Sequence, residues 1–279
     1  MDAPETDAKA APRLPLWQAL AVDTARAVRF YSRLPVPALP FEEQPHALPD
    51  FRTLPRAVPI AGLVIGLGPA LVLAAALLLD MGPWLAAALG VAAMTILTGA
   101  FHEDGLADVA DGFGGGNPER RLAIMKDSLI GSFGASAIAL ALALRIGALA
   151  TLADRLDIVP AAIAVLIAAA LSRTAGLTPL AFLPPARPDG ASRAVGQPAR
   201  PVFWIAAGIA AGLTAILGLA AGLPAIGLGL MMTGAALGGL ALTRLAHRLI
   251  GGQTGDVAGA AQQLAEIAAL LGLLVAVRP

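Results

Sequence analysis

Seven stretches of this chain stay apolar for about twenty residues each, the length a helix needs to cross the hydrocarbon of a bilayer. They run from Ala57 to Leu79, Pro83 to Phe101, Ser132 to Leu152, Ile158 to Thr178, Val202 to Ala221, Leu223 to Thr243 and Gln262 to Val277. With 57% hydrophobic and 14% charged residues, the chain has too little charge to cover a water-soluble domain, where about a quarter of residues are charged. Hydrocarbon offers backbone groups no partners, so each span must satisfy its own. The expected class is therefore all-α: a polytopic membrane bundle of about seven transmembrane helices in a lipid bilayer. The 31 glycines suit it, because small residues let membrane helices approach closely. There are no cysteines, which excludes disulfides, thiolate metal sites and cysteine nucleophiles.

Connections between the runs alternate in character. Those after the first, third and fifth are short; the N-terminal region and the connections after the second, fourth and sixth are long and basic. Of the 19 Lys and Arg residues, fifteen fall on that long-loop side: Lys9, Arg13, Arg26, Arg29, Arg33, Arg52 and Arg56, then Arg120, Arg121 and Lys126, then Arg187, Arg193 and Arg200, then Arg244 and Arg248. The positive-inside rule puts that side of the multi-pass chain in the cytoplasm. Residues 1–15 read as a disordered cytosolic tail with no signal-peptide core, and residues 16–279 as one integral-membrane domain. Leu16 to Leu34 reads as an amphipathic helix at the cytosolic interface, with Asp23, Arg26, Arg29 and Arg33 wet and Pro35 ending it.

Against this background His102-Glu-Asp-Gly-Leu-Ala-Asp-Val-Ala-Asp-Gly112 stands out. Charge beside a membrane span is costly unless it is used. Asp104, Asp108 and Asp111 follow i, i+4, i+7 spacing, which on a helix puts them within roughly 60° of one another. Three like charges on one stripe are relieved by a divalent cation, and hard oxygen donors suit Mg²⁺ or Mn²⁺. The second run is expected to continue as a helix past Phe101 and carry the stripe to the cytosolic face. Lys126, Asp127 and Ser128 follow, with Lys126 a candidate phosphate clamp and Ser128 a candidate substrate contact. A late patch, Gly251 to Gly259, holds Thr254, Gly255 and Asp256 on the same side; Asp256 is a further metal-ligand candidate, and Thr254 and Gly255 are phosphate-contact candidates. Arg173 is a candidate phosphate ligand near the cytosolic end of its span. Glu266 is expected to turn toward the site, and Arg145 to pair inside the bundle. No zinc pattern, Ser-His-Asp arrangement or Walker-type loop is present, and nothing supports nucleic-acid binding.

These motifs resemble the cobalamin synthase family, the adenosylcobinamide-GDP ribazoletransferases. Tyr31-Ser-Arg-Leu-Pro-Val-Pro37 resembles the family's N-terminal stretch, and Val58-Pro-Ile-Ala-Gly62 its first span. The acidic motif resembles its H-x-D-G-x-x-D-x-x-D-G signature, Ile124 to Ser128 with Gly131 the segment after it, and Gly252 to Ala260 the late Gly-Asp motif. Leu129 departs from a common Arg, Gln263 from a common Glu, and Glu103 from a commonly apolar position. The resemblance implies transfer from adenosylcobinamide-GDP to α-ribazole or its 5′-phosphate, releasing GMP, with Mg²⁺. The expected nucleophile is the ribazole 5′-hydroxyl, with Asp108 or Asp111 as base. The sequence leaves a homo-oligomer open. Two rivals are a CDP-alcohol phosphotransferase, whose Asp-Gly-x-x-Ala-Arg opening fails at Asp108, and an ion-coupled transporter, whose sites usually lie near the bilayer midplane.

Overall fold

The computed structural model describes residues 14–45, 47–187 and 195–278. Nearly all of the expected tail lies outside these, as do Lys9, Arg13, His46 and Arg193. Among the described residues the elements are α1 (Leu16–Tyr31), a 3₁₀ turn (Leu54–Ala57), α2 (Val58–Leu78), α3 (Pro83–Thr98), α4 (Phe101–Phe113) and α5 (Pro118–Ile124). They continue with α6 (Ser132–Arg155), α7 (Ile158–Phe182), α8 (Arg200–Ala220), α9 (Ala225–Ile250) and α10 (Gly255–Ala276). Six helices are long and apolar enough to cross a membrane, or seven if the bent pair α3 and α4 counts as one span. α8 and α9 form the tight hairpin expected at Gly222, which takes a φ of +78°.

Helices α7 and α10 form the centre, and small residues set how closely the others approach them. A Cβ on Gly62 of α2 would sit 2.7 Å from the Ala170 Cα of α7, and one on Gly238 of α9 would sit 2.8 Å from the Ala265 Cα of α10. At both points backbone touches backbone. Apolar side chains such as Leu73, Ile167, Met231 and Leu270 fill the space between these crossings.

Four expectations are corrected. The second run does not carry a continuous helix past Phe101. α3 stops at Thr98, Gly99 and Ala100 take left-handed φ values of 65° and 58°, and α4 departs at 88°. The guanidinium of Arg33 lies against Gly99 where a Cβ would have to go, and the Arg33 N–H donates to the Leu97 carbonyl at 2.8 Å. This packing holds open a turn that costs Ala100 about 1–2 kcal/mol. α10 starts at Gly255 rather than Gln262, because the Thr254 hydroxyl caps it by accepting from the Val257 N–H at 3.2 Å. α1 ends at Tyr31, where Ser32 turns extended. Asp23 is buried rather than wet, paired with Arg56 at 2.9 Å.

Candidate functional site

The bend after α3 sets the site. It turns α4 out of line with the spans and lays it across the N-terminal end of α10. A Cβ on Gly105 would fall 2.8 Å from the Asp256 carbonyl oxygen, and one on Gly259 would fall 3.5 Å from the His102 Cα. Two glycines on facing helices thus permit the crossing that brings the acidic motif to the late Gly-Asp motif.

Asp104, Asp108 and Asp256 approach one another at this crossing closely enough for their charges to interact. Burial pushes the Asp108 carboxyl up to about 7, and the neighbouring charges of Asp256, Asp104 and Asp111 push the same way, opposed by Arg187. Asp104 is exposed. Asp256 accepts from the Thr254 hydroxyl at 3.2 Å and lies 3.9 Å from Arg187. Among the described residues no three acidic or imidazole side chains are close enough together to hold one metal ion.

Asp111 faces elsewhere. Its Oδ2 accepts from the Gly131 N–H at 2.7 Å and its Oδ1 from the Gly134 N–H at 2.8 Å. A carboxylate at the positive end of a helix satisfies amides that have no partner within the helix, so Asp111 caps α6 from another helix. The sequence offered no sign of this role, because its partners are backbone groups. Lys126 and Ser128 are exposed on the connection between α5 and α6 and do not line the cavity described next.

A cavity of about 360 Å³ opens beside the carboxylates. Asp104, Asp256, Thr254, Gly255 and Arg187 line it together with Arg173 and Gln262. Aromatic rings from three places complete its wall: Phe30 and Tyr31 of α1, Phe51, and Phe101 and His102 of α4. Tyr31 and His102 stack with centroids 5.8 Å apart and planes 15° from parallel. The structure thus unites five of the expected site residues, Asp104, Arg173, Thr254, Gly255 and Asp256, on one cavity. Arg187, hidden in sequence among the other cations of the long loops, is added to them. It is held by donating to the Leu122 carbonyl at 2.9 Å. A clip in which the Ala186 N–H donates to the Gln253 carbonyl, and the Gln253 N–H to that of Pro184, also anchors it.

Behind the cavity lies a buried ionic network. Arg145, 1% exposed, pairs with Glu103 at 2.8 Å and Glu266 at 2.9 Å, as expected of a cation that must find partners inside the bundle. The Gln262 side-chain amide donates to Glu266 at 2.7 Å and to Ser172 at 2.9 Å. Glu266 therefore faces Arg145 rather than the cavity. The network ties α4, α6, α7 and α10 together directly behind Asp104.

The description Cobalamin-5-phosphate synthase matches residues 23–274. A protein of Azorhizobium caulinodans named adenosylcobinamide-GDP ribazoletransferase is 50% identical, covering 93% of this chain and 98% of its own. Proteins of the same name from Xanthobacter autotrophicus and Rhizobium etli are 48% and 45% identical, each covering 92% of this chain and 97% of its own. No solved structure gives a significant match. A match running from the middle of α1 to the last turns of α10, with relatives this similar along nearly their whole length, leaves one conclusion: the chain belongs to the cobalamin-5-phosphate synthase family.

Proposed function

We propose that this protein transfers the phosphoryl-linked corrinoid of adenosylcobinamide-GDP to α-ribazole or its 5′-phosphate, releasing GMP, at the crossing of α4 and α10. The observation that carries the reading is the approach of Asp104 and Asp108 to Asp256, from motifs some 150 residues apart, with Asp104 and Asp256 lining one cavity. The basic long loops favour an orientation with this face in the cytoplasm, where both polar substrates are found. In a bacterium with two membranes the protein belongs in the inner one.

The carboxylates fit a divalent cation by charge and donor type. Asp104 and Asp256 offer hard oxygens, and the repulsion among the carboxylates, seen at the neighbouring Asp108, is what such an ion relieves. Asp104 makes no side-chain hydrogen bond among the described residues, so its rotamer is not pinned. Mg²⁺ is the proposed ion; bound there, it would supply charge neutralisation to the pyrophosphate oxygens and to the departing GMP.

The remaining steps follow from the chain's own groups. Arg187 lies where it can contact a phosphate next to Asp256. In the transfer, an acceptor hydroxyl forms a bond to the phosphorus attached to cobinamide, the pyrophosphate P–O bond to GMP breaks, and the hydroxyl proton goes to a base. Asp108, pushed up to about 7, is matched to that task near neutral pH. Asp111, with both oxygens engaged on α6, is not. An acceptor already phosphorylated at its 5′ position has no 5′-hydroxyl to offer, so a ribose ring hydroxyl, rather than the 5′-hydroxyl expected above, is the nucleophile that serves both acceptors.

The test is GMP release by purified protein in lipid, given adenosylcobinamide-GDP and α-ribazole with and without Mg²⁺. The proposal expects Mg²⁺-dependent release that falls at least a hundredfold in Asp108→Asn. Equal release by the variant would remove Asp108 from the reaction. Movement of a solute across liposomes without GMP release would favour the transporter reading.

A further inference from the structure

We infer that the aromatic cavity between α1, α4, α7 and α10 is the acceptor's seat: it takes the base of the ribazole, which Arg173 reads, while His102 meets the ribose. The inference rests on the transfer reading above and adds which substrate occupies the cavity, in which direction, and what selects it.

Size decides first. Pockets for drug-sized molecules span roughly 300–1,000 Å³, and about 360 Å³ lies at the low end. That suits one nucleoside and is far too small for a corrinoid carrying GDP. Chemistry decides next. A guanine edge carries an amine, an amide N–H and a carbonyl, and burying these without partners is costly. Rings such as Phe30, Phe51 and Phe101 offer it none, Gln262 is engaged by Glu266 and Ser172, and Asp104, Asp256 and Arg187 are committed to the metal and phosphate in the transfer reading. The base of α-ribazole is a fused aromatic bicycle with apolar edges and a single unsubstituted ring nitrogen, which accepts one hydrogen bond. Its faces suit edge and stacked contacts with the surrounding rings.

The cavity also supplies the matching polar atoms. In two residues that line it, 2% and 3% exposed, a buried nitrogen has no partner among the described residues: Arg173 Nε and His102 Nε2. Buried nitrogens are rarely left unpaired in native proteins without a purpose. The other two nitrogens of the Arg173 guanidinium are engaged, by the Ala169 carbonyl at 3.1 Å and the Met94 sulfur at 3.4 Å, which leaves Nε as its free donor. An Nε–H only donates, and the free nitrogen of the base only accepts. His102, stacked on Tyr31, meets a ribose hydroxyl. With the base inside, the ribose lies toward Asp104 and Asp256, where a ring hydroxyl must be for transfer. A lipid chain in the same cavity would leave both nitrogens unpaired beside two carboxylates.

The test uses the full chain in nanodiscs and two readouts. In turnover, Phe101→Ala is expected to raise KM for α-ribazole about tenfold while KM for adenosylcobinamide-GDP stays within twofold; Phe101→Leu serves if the alanine variant does not fold. An acceptor analogue with the free ring nitrogen replaced by C–H is expected to bind the wild type at least about tenfold more weakly, the effect of one hydrogen bond to a charged group. Arg173→Met should erase that difference, a result that a purely structural Arg173 would not produce. In calorimetry without the corrinoid, wild type is expected to bind α-ribazole and Phe101→Ala to bind it at least tenfold more weakly. Wild-type binding without GMP release would leave this inference standing and overturn the transfer reading. No binding of α-ribazole, equal affinity for the analogue, or a KM change confined to the corrinoid would overturn the inference.

Discussion

Replacing Gly105 by alanine tests the α4–α10 crossing without touching a functional group. The new Cβ would fall 2.8 Å from the Asp256 carbonyl oxygen and 3.1 Å from its Cα. Both are backbone atoms and cannot rotate away, so α4 must retreat by about 0.6 Å to restore ordinary van der Waals contact. Overpacking of this kind costs about 1–3 kcal/mol, and the helix preference of alanine over glycine returns about 1 kcal/mol. The net loss of stability is therefore modest. The effect on the reaction is larger, because a displacement of about 1 Å in a catalytic group costs on the order of a hundredfold. We expect kcat for GMP release to fall about tenfold or more while the melting temperature moves by only a few degrees. Gly147→Ala on α6, where nothing lies within 4 Å of the new Cβ, is the control and should leave both unchanged. Wild-type kcat in Gly105→Ala would refute the claim that the spacing of these helices sets the site.

Other outcomes follow from the same geometry. Asp111→Ala removes the acceptor of two α6 amides and should destabilise the protein by about 1–2 kcal/mol, the loss of a helix cap, measured by thermal unfolding in detergent. Arg145→Met strands Glu103 and Glu266 and should cost about 3–5 kcal/mol; adding Glu103→Gln and Glu266→Gln should recover most of it. The folded-state pKa of Asp108, about 7, lies above the usual carboxylate value near 3.9. The unfolded chain therefore loses that proton first, and metal-free stability should fall as pH rises from about 4 to about 7. Stabilisation by added Mg²⁺ should accordingly be greater at pH 8 than at pH 6, and Asp108→Asn should flatten both trends.

Charge in an apolar context made much of this legible from sequence. The stripe of Asp104, Asp108 and Asp111, the late Asp256 and the buried Arg145 each announce themselves because hydrocarbon makes their cost visible. What escaped was set by tertiary contacts between ordinary residues. Gly99 and Ala100 are compatible with a continuous helix, and only the packing of Arg33 against Gly99 makes the bend. Phe30 and Tyr31 look like the apolar face of an amphipathic helix until α4 folds back against them. Arg187 is one cation among many expected on the cytosolic side, and its role comes from the clip between Ala186 and Gln253. Glu266 is expected at the site because a buried carboxylate needs a partner, and Arg145 meets that need.

The central claim is that two motifs some 150 residues apart form one metal-dependent site, as the closeness of Asp104 and Asp108 to Asp256 suggests. The most direct test is Mg²⁺ titration of GMP release in liposomes by wild type, Asp104→Asn and Asp256→Asn. The account predicts that each variant raises the Mg²⁺ concentration needed for half-maximal rate at least tenfold, and that the double variant is little worse than either alone. A wild-type Mg²⁺ response in Asp256→Asn would contradict it.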